Sequence, residues 1–88
     1  MPEARSFSAW KSEIVSWLIS LPDRGRKDSY VFEEQRNAII ATLRYLRTNM
    51  LSRILADLHQ FCSFWDLDFP SDLLPSREEI RRWFERGD

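Results

Sequence analysis

The side chains in this sequence best suited to catalysis are His59 and Cys62, which lie three residues apart. On a helix this spacing brings the two side chains together, and an imidazole beside a thiol is the arrangement that activates a cysteine nucleophile. Such a pair also needs an orienting third group and an accessible, electropositive setting. Cys62 instead stands among Phe61, Phe64 and Trp65, which is typical of a buried position. We therefore predict a structural cysteine and no catalytic residue.

Metal and phosphate binding find equally little support in the residue types. Asp66, Asp68 and Asp72 are too few and lack the central glycine and closing glutamate of a calcium loop. One His and one Cys do not suffice for a zinc site within one chain. The only two glycines, Gly25 and Gly87, stand far apart, so no glycine-rich phosphate loop exists. The sequence predicts no metal, no cofactor and no enzymatic activity.

Charge is distributed unevenly, although the formal net charge is only −1. The segment between Glu34 and Asp57 contains no acidic residue. Its four basic residues are Arg36, Arg44, Arg47 and Arg53. Arginines beside an apolar stripe lay their stems on it and direct their guanidinium groups to a carboxylate. We predict that these four contact a protein partner; solvation on a helix face is the plain alternative, and binding of nucleic-acid phosphates is another.

Aromatic side chains are the second excess, with four Trp, six Phe and two Tyr. Trp, Tyr and Arg often dominate the energetics of interfaces, but aromatic residues at helical spacing more often belong to a core. Trp10, Trp17, Phe61 and Trp65 are predicted in the core or in a seam between two chains. We place Trp83 and Phe84, on a short terminal helix, on a partner-binding surface.

Composition and length indicate a small protein without a membrane span. At 88 residues, 1–88 are predicted to form a single helical domain. The pI near 5.8 disfavours a protein built wholly for nucleic acid. The longest nearly apolar run is far shorter than the ~20 residues that a bilayer requires, and no secretory signal pattern is present. A single cysteine suits a reducing compartment, so a cytoplasmic location is expected.

Apolar spacing and capping residues predict an all-α fold, because neither strand-like alternation nor β-branched clusters occur. The first helix covers about residues 8–21, starts at a serine cap and ends before Pro22. A short C-terminal helix starts at the capping box formed by Ser76 and Glu79. Between these two lies a long central segment with no glycine or proline from residue 26 to 69.

The central segment has two possible architectures. Its apolar stripe advances by three or four residues, but three consecutive four-residue steps around Met50 shift the register. We favour one unbroken helix over about residues 30–65, and the alternative is two helices broken near Asn49. Because a 14-residue helix cannot cover so long a helix, continuity implies either a dimer or a large bound partner, and we favour a homodimer. The predicted dimer seam is Ile39, Leu43, Leu46, Met50, Ile54, Leu58, Phe61 and Trp65.

The function predicted from these features is a non-enzymatic helical protein–protein interaction module, acting as a small regulatory, adaptor or inhibitor subunit, and homodimeric. Its partner is another protein of unknown identity. The alternative is a nucleic-acid-binding regulator that uses the stripe from Arg36 to Arg53 or the C-terminal helix. The acids Glu78, Glu79 and Glu85 largely offset the arginines of that helix.

Overall fold

The computed structural model describes residues 4–22 and 29–86, and within these ranges the chain is all-α, with no β-strand. Four α-helices follow one another: α1 (Phe7–Ser20), α2 (Ser29–Arg44), α3 (Leu51–Trp65) and α4 (Arg77–Arg86). Two single 3₁₀ turns, Thr48–Met50 and Ser71–Leu73, precede α3 and α4. The predicted fold class is confirmed. In the part of the chain described, no helix is long and apolar enough to cross a membrane.

The favoured continuous central helix is wrong, and the alternative with two helices is confirmed. α2 ends at Arg44, Arg47 is extended (φ −111°, ψ 158°), and the chain turns through Thr48–Met50 into α3. The break falls at the register shift of the apolar stripe. Two shorter helices bury the stripe against each other and against α1, whereas one long helix would have left half of it in water.

The predicted dimer seam is consequently part of the chain's own core. Six of its eight side chains are buried within the single chain: Leu43, Leu46, Ile54, Leu58, Phe61 and Trp65. Ile39 is half-buried, and Met50, at the register shift, is 40 % exposed. These six residues cannot also form a seam between two chains without opening the fold. The homodimer was predicted because a single chain was expected to leave this apolar stripe uncovered, and that reason no longer holds.

α1 has the predicted apolar face and the predicted limits within one residue. Ser6 caps the helix, since its hydroxyl accepts a hydrogen bond from the Ala9 amide at 3.0 Å. The buried face consists of Phe7, Trp10, Ile14 and Leu18. The helix ends at Ser20, and Leu21 is extended before Pro22, as expected for a residue that precedes proline.

α4 is held against the beginning of the chain by Glu79 and Trp83. The capping box is confirmed: Glu79 N–H donates to Ser76 Oγ at 3.1 Å and Ser76 N–H donates to Glu79 Oε1 at 2.9 Å. The guanidinium of Arg5 donates to both carboxylate oxygens of Glu79, at 2.8 and 3.0 Å. Because both groups are charged and Glu79 is buried, this bidentate pair joins the two ends of the described chain firmly.

Trp83 is a core residue, which corrects its predicted place on a contact surface. Its side chain is only 1 % exposed, and its ring lies 5.2 Å from the ring of Phe7 and 5.4 Å from that of Trp10. Its indole N–H donates to the Arg5 carbonyl at 2.8 Å. The short α4 needs this large anchor because its other core-facing apolar side chain, Ile80, is only half-buried.

Candidate functional site

The feature most suited to binding is a groove on the outer side of the α2–α3 pair. The two helices are antiparallel: near the start of α2, the ring of Phe32 packs 5.1 Å from that of Trp65 at the end of α3. Trp65 Nε1–H also donates to Gln35 Oε1 at 2.9 Å. Two adjoining cavities of about 340 and 270 Å³ lie along the helix pair and meet at Asp57. We call these two cavities together the α2–α3 groove.

The two walls of the groove follow from helical spacing. The α2 side and the residue after its last turn contribute Gln35, Ala38, Ile39, Thr42 and Leu46. The α3 side contributes Met50, Arg53, Ile54, Asp57, Gln60, Phe61 and Phe64. Both sets advance by one, three or four residues, so each forms one stripe along its helix. The longer stripe extends over about 20 Å, which is four turns of helix.

Phe64 is the most exposed apolar side chain in the groove, at 69 %. Its ring lies edge-on to Trp65 with 5.0 Å between the ring centres, so the buried indole supports it. Met50 is exposed at the opposite end, while the floor between them includes the buried Phe61 and Ile54. An exposed aromatic ring beside an apolar floor is typical of a residue that dominates binding to a protein.

Two opposite charges lie in the groove without a partner. Asp57 is half-buried where the two cavities meet, and Arg53 lies one turn earlier on α3. Among the residues described, neither side chain forms a hydrogen bond or an ion pair, not even with the other. Since a half-buried carboxylate is stabilised by a cation, Asp57 is suited to receive a basic group from outside.

The structure separates the four predicted arginines instead of bringing them together. Arg53 lines the α2–α3 groove, while Arg44 lines a different cleft, between α1 and α2. Arg47 is exposed in the turn between α2 and α3. Arg36 is half-buried with its guanidinium carbon 5.7 Å from the ring centre of Phe32, and its Nε is buried without a hydrogen-bond partner. A continuous basic stripe, which the nucleic-acid alternative requires, is therefore not formed by these residues.

Of the other predicted contact residues, Phe84 is 52 % exposed on α4, and it does not line the α2–α3 groove. The sequence analysis missed Phe64 and Asp57 as site residues. A usable signal existed for Phe64, because it lies off the apolar stripe that Phe61 and Trp65 continue. Asp57 carried no signal, since an aspartate beside the stripe is indistinguishable from a solvated one.

Cys62 is buried, as predicted for a structural cysteine. Burial raises the pKa of its thiol, and the negative charge of Asp68 raises it further. A nucleophilic cysteine needs the opposite shift, because the thiolate is the reactive form. His59 is exposed on the same helix. Within residues 4–22 and 29–86, no three His, Cys, Asp or Glu side chains form a group that could hold a metal ion.

Comparisons of the chain with protein-family models, with curated proteins and with solved structures found no match. No relative therefore supplies a partner, a substrate or a set of functional residues. The groove, its exposed aromatic ring and its two unpaired charges are the features from which a function has to be inferred.

Proposed function

We propose that this chain is a non-enzymatic protein–protein interaction module that binds one amphipathic helix of another protein in the α2–α3 groove. The observation that carries the proposal is the exposed Phe64 ring beside the mainly apolar cavity that Ile39 and Phe61 help to line. Such a module would act as a small regulatory, adaptor or inhibitor subunit. We place it in the cytoplasm, where the free thiol of Cys62 would stay reduced.

The dimensions of the groove favour a helix over an extended peptide. Its walls are two antiparallel helices, and the furrow between two such helices accepts side chains that repeat every three or four residues. A length of about 20 Å matches about 14 residues of partner helix. We therefore expect three or four apolar anchors on one face of the partner, one of them against Phe64.

The charges specify the partner further. Asp57 lies near the middle of the groove, so the partner helix is expected to carry a Lys or Arg at the centre of its binding face. Arg53 lies one turn away and would be matched by an acid of the partner. Docking removes water from around both charges of each pair, which strengthens the attraction between them.

A homodimer, predicted from the sequence, is the competing occupant of the groove. α2 and α3 cover each other's apolar stripes, so a second chain is not needed to complete the core. Sedimentation velocity at micromolar concentration is expected to give the monomer mass; a dimer that Phe64→Glu dissociates would replace the proposed partner with a second copy.

A displayed library of helical peptides about 16 residues long, selected on the full chain, tests the proposal directly. Selected peptides should share apolar residues at helical spacing and one central Lys or Arg. Phe64→Glu should weaken their binding by about 30-fold or more, as for an aromatic residue that dominates an interface. Asp57→Lys should shift the selected central residue from basic to acidic.

The matched control is Tyr30→Glu, which changes an equally exposed aromatic residue that does not line the groove. Its binding should equal that of the parent chain. Peptides that bind the Phe64→Glu and parent chains equally would refute the groove as the site. Selection with no preference for a basic centre, unaltered by Asp57→Lys, would refute the assigned charge match.

A further inference from the structure

The cleft between α1 and α2 has a chemistry that differs from that of the α2–α3 groove. Its volume is about 410 Å³, and α1 lines it with Ser8, Ser12 and Ser16, one on each successive turn. Two cations, Lys11 and Arg44, complete its polar lining. Among the residues described, no carboxylate lines this cleft. Two cations and three hydroxyls without an acid form a lining suited to an anion.

Lys11 is held in place inside the cleft. Its ammonium donates to the Leu46 carbonyl at 3.2 Å and lies 4.6 Å from the ring centre of Phe7. These two contacts restrict a side chain that is otherwise flexible, so less entropy is lost when a ligand binds. An ammonium has three donors, and the carbonyl takes one of them. Two donors are left for an anion.

Arg44 and the cleft hydroxyls have no internal partner in the described part of the chain. Arg44 forms none of the ion pairs there, which involve Arg5, Arg81 and Arg82. Ser20 of α1 and Thr42 of α2 donate to carbonyls of their own helices, at 2.7 and 3.0 Å, whereas no such bond is formed by the three cleft serines. The donors of the cleft are therefore available.

We propose that the α1–α2 cleft binds a small phosphorylated molecule through its phosphate monoester group. The guanidinium of Arg44 would bind two phosphate oxygens, and the Lys11 ammonium and serine hydroxyls would bind the others. Val15 is the half-buried apolar side chain of the lining and would contact the organic part of the ligand. The half-buried Val15 beside these donors favours an ester over the free ion, because the free ion has no apolar part to cover it.

The experiment is an NMR titration of the ¹⁵N-labelled full chain with sodium phosphate and with phenyl phosphate, at constant ionic strength set by sodium chloride. Amide shifts should concentrate on residues 8–16 and on the last turn of α2. Phenyl phosphate should bind about five-fold more tightly than phosphate, because its ring covers the half-buried Val15. Lys11→Gln and Arg44→Gln should each weaken the binding of phenyl phosphate by about ten-fold.

Arg47→Gln is the matched control, since Arg47 is exposed three residues further along and does not line the cleft. It should bind as the parent does. Arg44→Gln removes no internal contact, so it keeps the test valid if Lys11→Gln disturbs the fold. Unchanged binding by Arg44→Gln, or shifts centred on the small cleft lined by Arg5, Arg82 and Arg86, would overturn the assignment. Amide shifts of the same size on adding sodium chloride alone would also overturn it.

The α1–α2 cleft and the α2–α3 groove share no lining residue, so failure here leaves the proposed helix-binding function unaffected.

Discussion

The buried carboxylate of Glu79 gives the clearest quantitative prediction, for the substitution Glu79→Gln. Glu79 accepts hydrogen bonds from the backbone and the guanidinium of Arg5 and from the backbone N–H of Ser76, all between 2.8 and 3.0 Å. These bonds, chiefly those from the Arg5 side chain, lower the pKa of Glu79 from 4.5 to about 2 against the opposing effect of burial. Gln keeps the shape and one acceptor but loses the charge.

The magnitude follows from this shift of the pKa. Each pH unit between the folded and unfolded pKa corresponds to about 1.4 kcal/mol, so the charge of Glu79 contributes about 3 kcal/mol to folding near neutral pH. Because the folded pKa is the lower one, this contribution is present above pH 4.5 and is lost as the pH falls towards 2. Glu79→Gln should therefore cost about 3 kcal/mol at pH 7 and about 2 kcal/mol at pH 3.5.

Urea unfolding of the parent and variant, followed by tryptophan fluorescence at several pH values, measures this difference. The control is Glu85→Gln, whose exposed carboxylate lies 3.5 Å from Arg81 and should contribute less than about 0.5 kcal/mol. A loss for Glu79→Gln below about 1 kcal/mol at neutral pH would refute the reasoning. A larger loss that stays constant down to pH 3 would also refute it, since it would then come from shape and not from charge.

Three further substitutions or treatments test other parts of the structure. Cys62 should react with a thiol reagent at least on the order of 100-fold more slowly in the native chain than in urea, because its thiol is buried and its pKa raised; equal rates would contradict that burial. Asp66→Val should lower the free energy of unfolding by about 1–2 kcal/mol, since Asp66 ends α3 in the left-handed region (φ 55°), which β-branched residues disfavour; Asp66→Asn is the control and should be nearly neutral. Phe64→Ser should change the same free energy by less than about 0.5 kcal/mol, because the ring is mostly exposed, and a larger loss in urea unfolding would mean that Phe64 serves the core.

Local signals predicted the ends of the molecule well because each acts over a few residues. Pro22 sets the end of α1, and the capping box of Ser76 and Glu79 sets the start of α4. The break between α2 and α3 has no such signal, since Arg47 precedes the 3₁₀ turn without a side-chain cap. Tertiary packing decides it, because only two separate helices can bury both halves of the stripe.

Contacts between residues far apart in the sequence were not predicted, for a related reason. Arg5 and Glu79 are separated by 74 positions, and nothing in the local pattern distinguishes this pair from the exposed pairs of α4. The sequence did not predict the groove for the same reason, because α2 and α3 form its two walls only after the chain turns between them. The pattern of residue types predicted which face of each helix is apolar. Which of these faces pack together depends on the break between α2 and α3.

Three tryptophans and Phe64 show that the aromatic excess is not all placed in the same way. The indole N–H groups of Trp10, Trp65 and Trp83 donate to Leu73, Gln35 and Arg5 of the same chain, at 2.7 to 2.9 Å. These bonds satisfy polar groups that burial would otherwise penalise, so the three rings serve the fold. Phe64 has no polar group to satisfy and remains at the surface. The break in the central segment therefore closes a core that one long helix would have left open, and it places the exposed Phe64 beside the α2–α3 groove, where we propose that a partner helix binds.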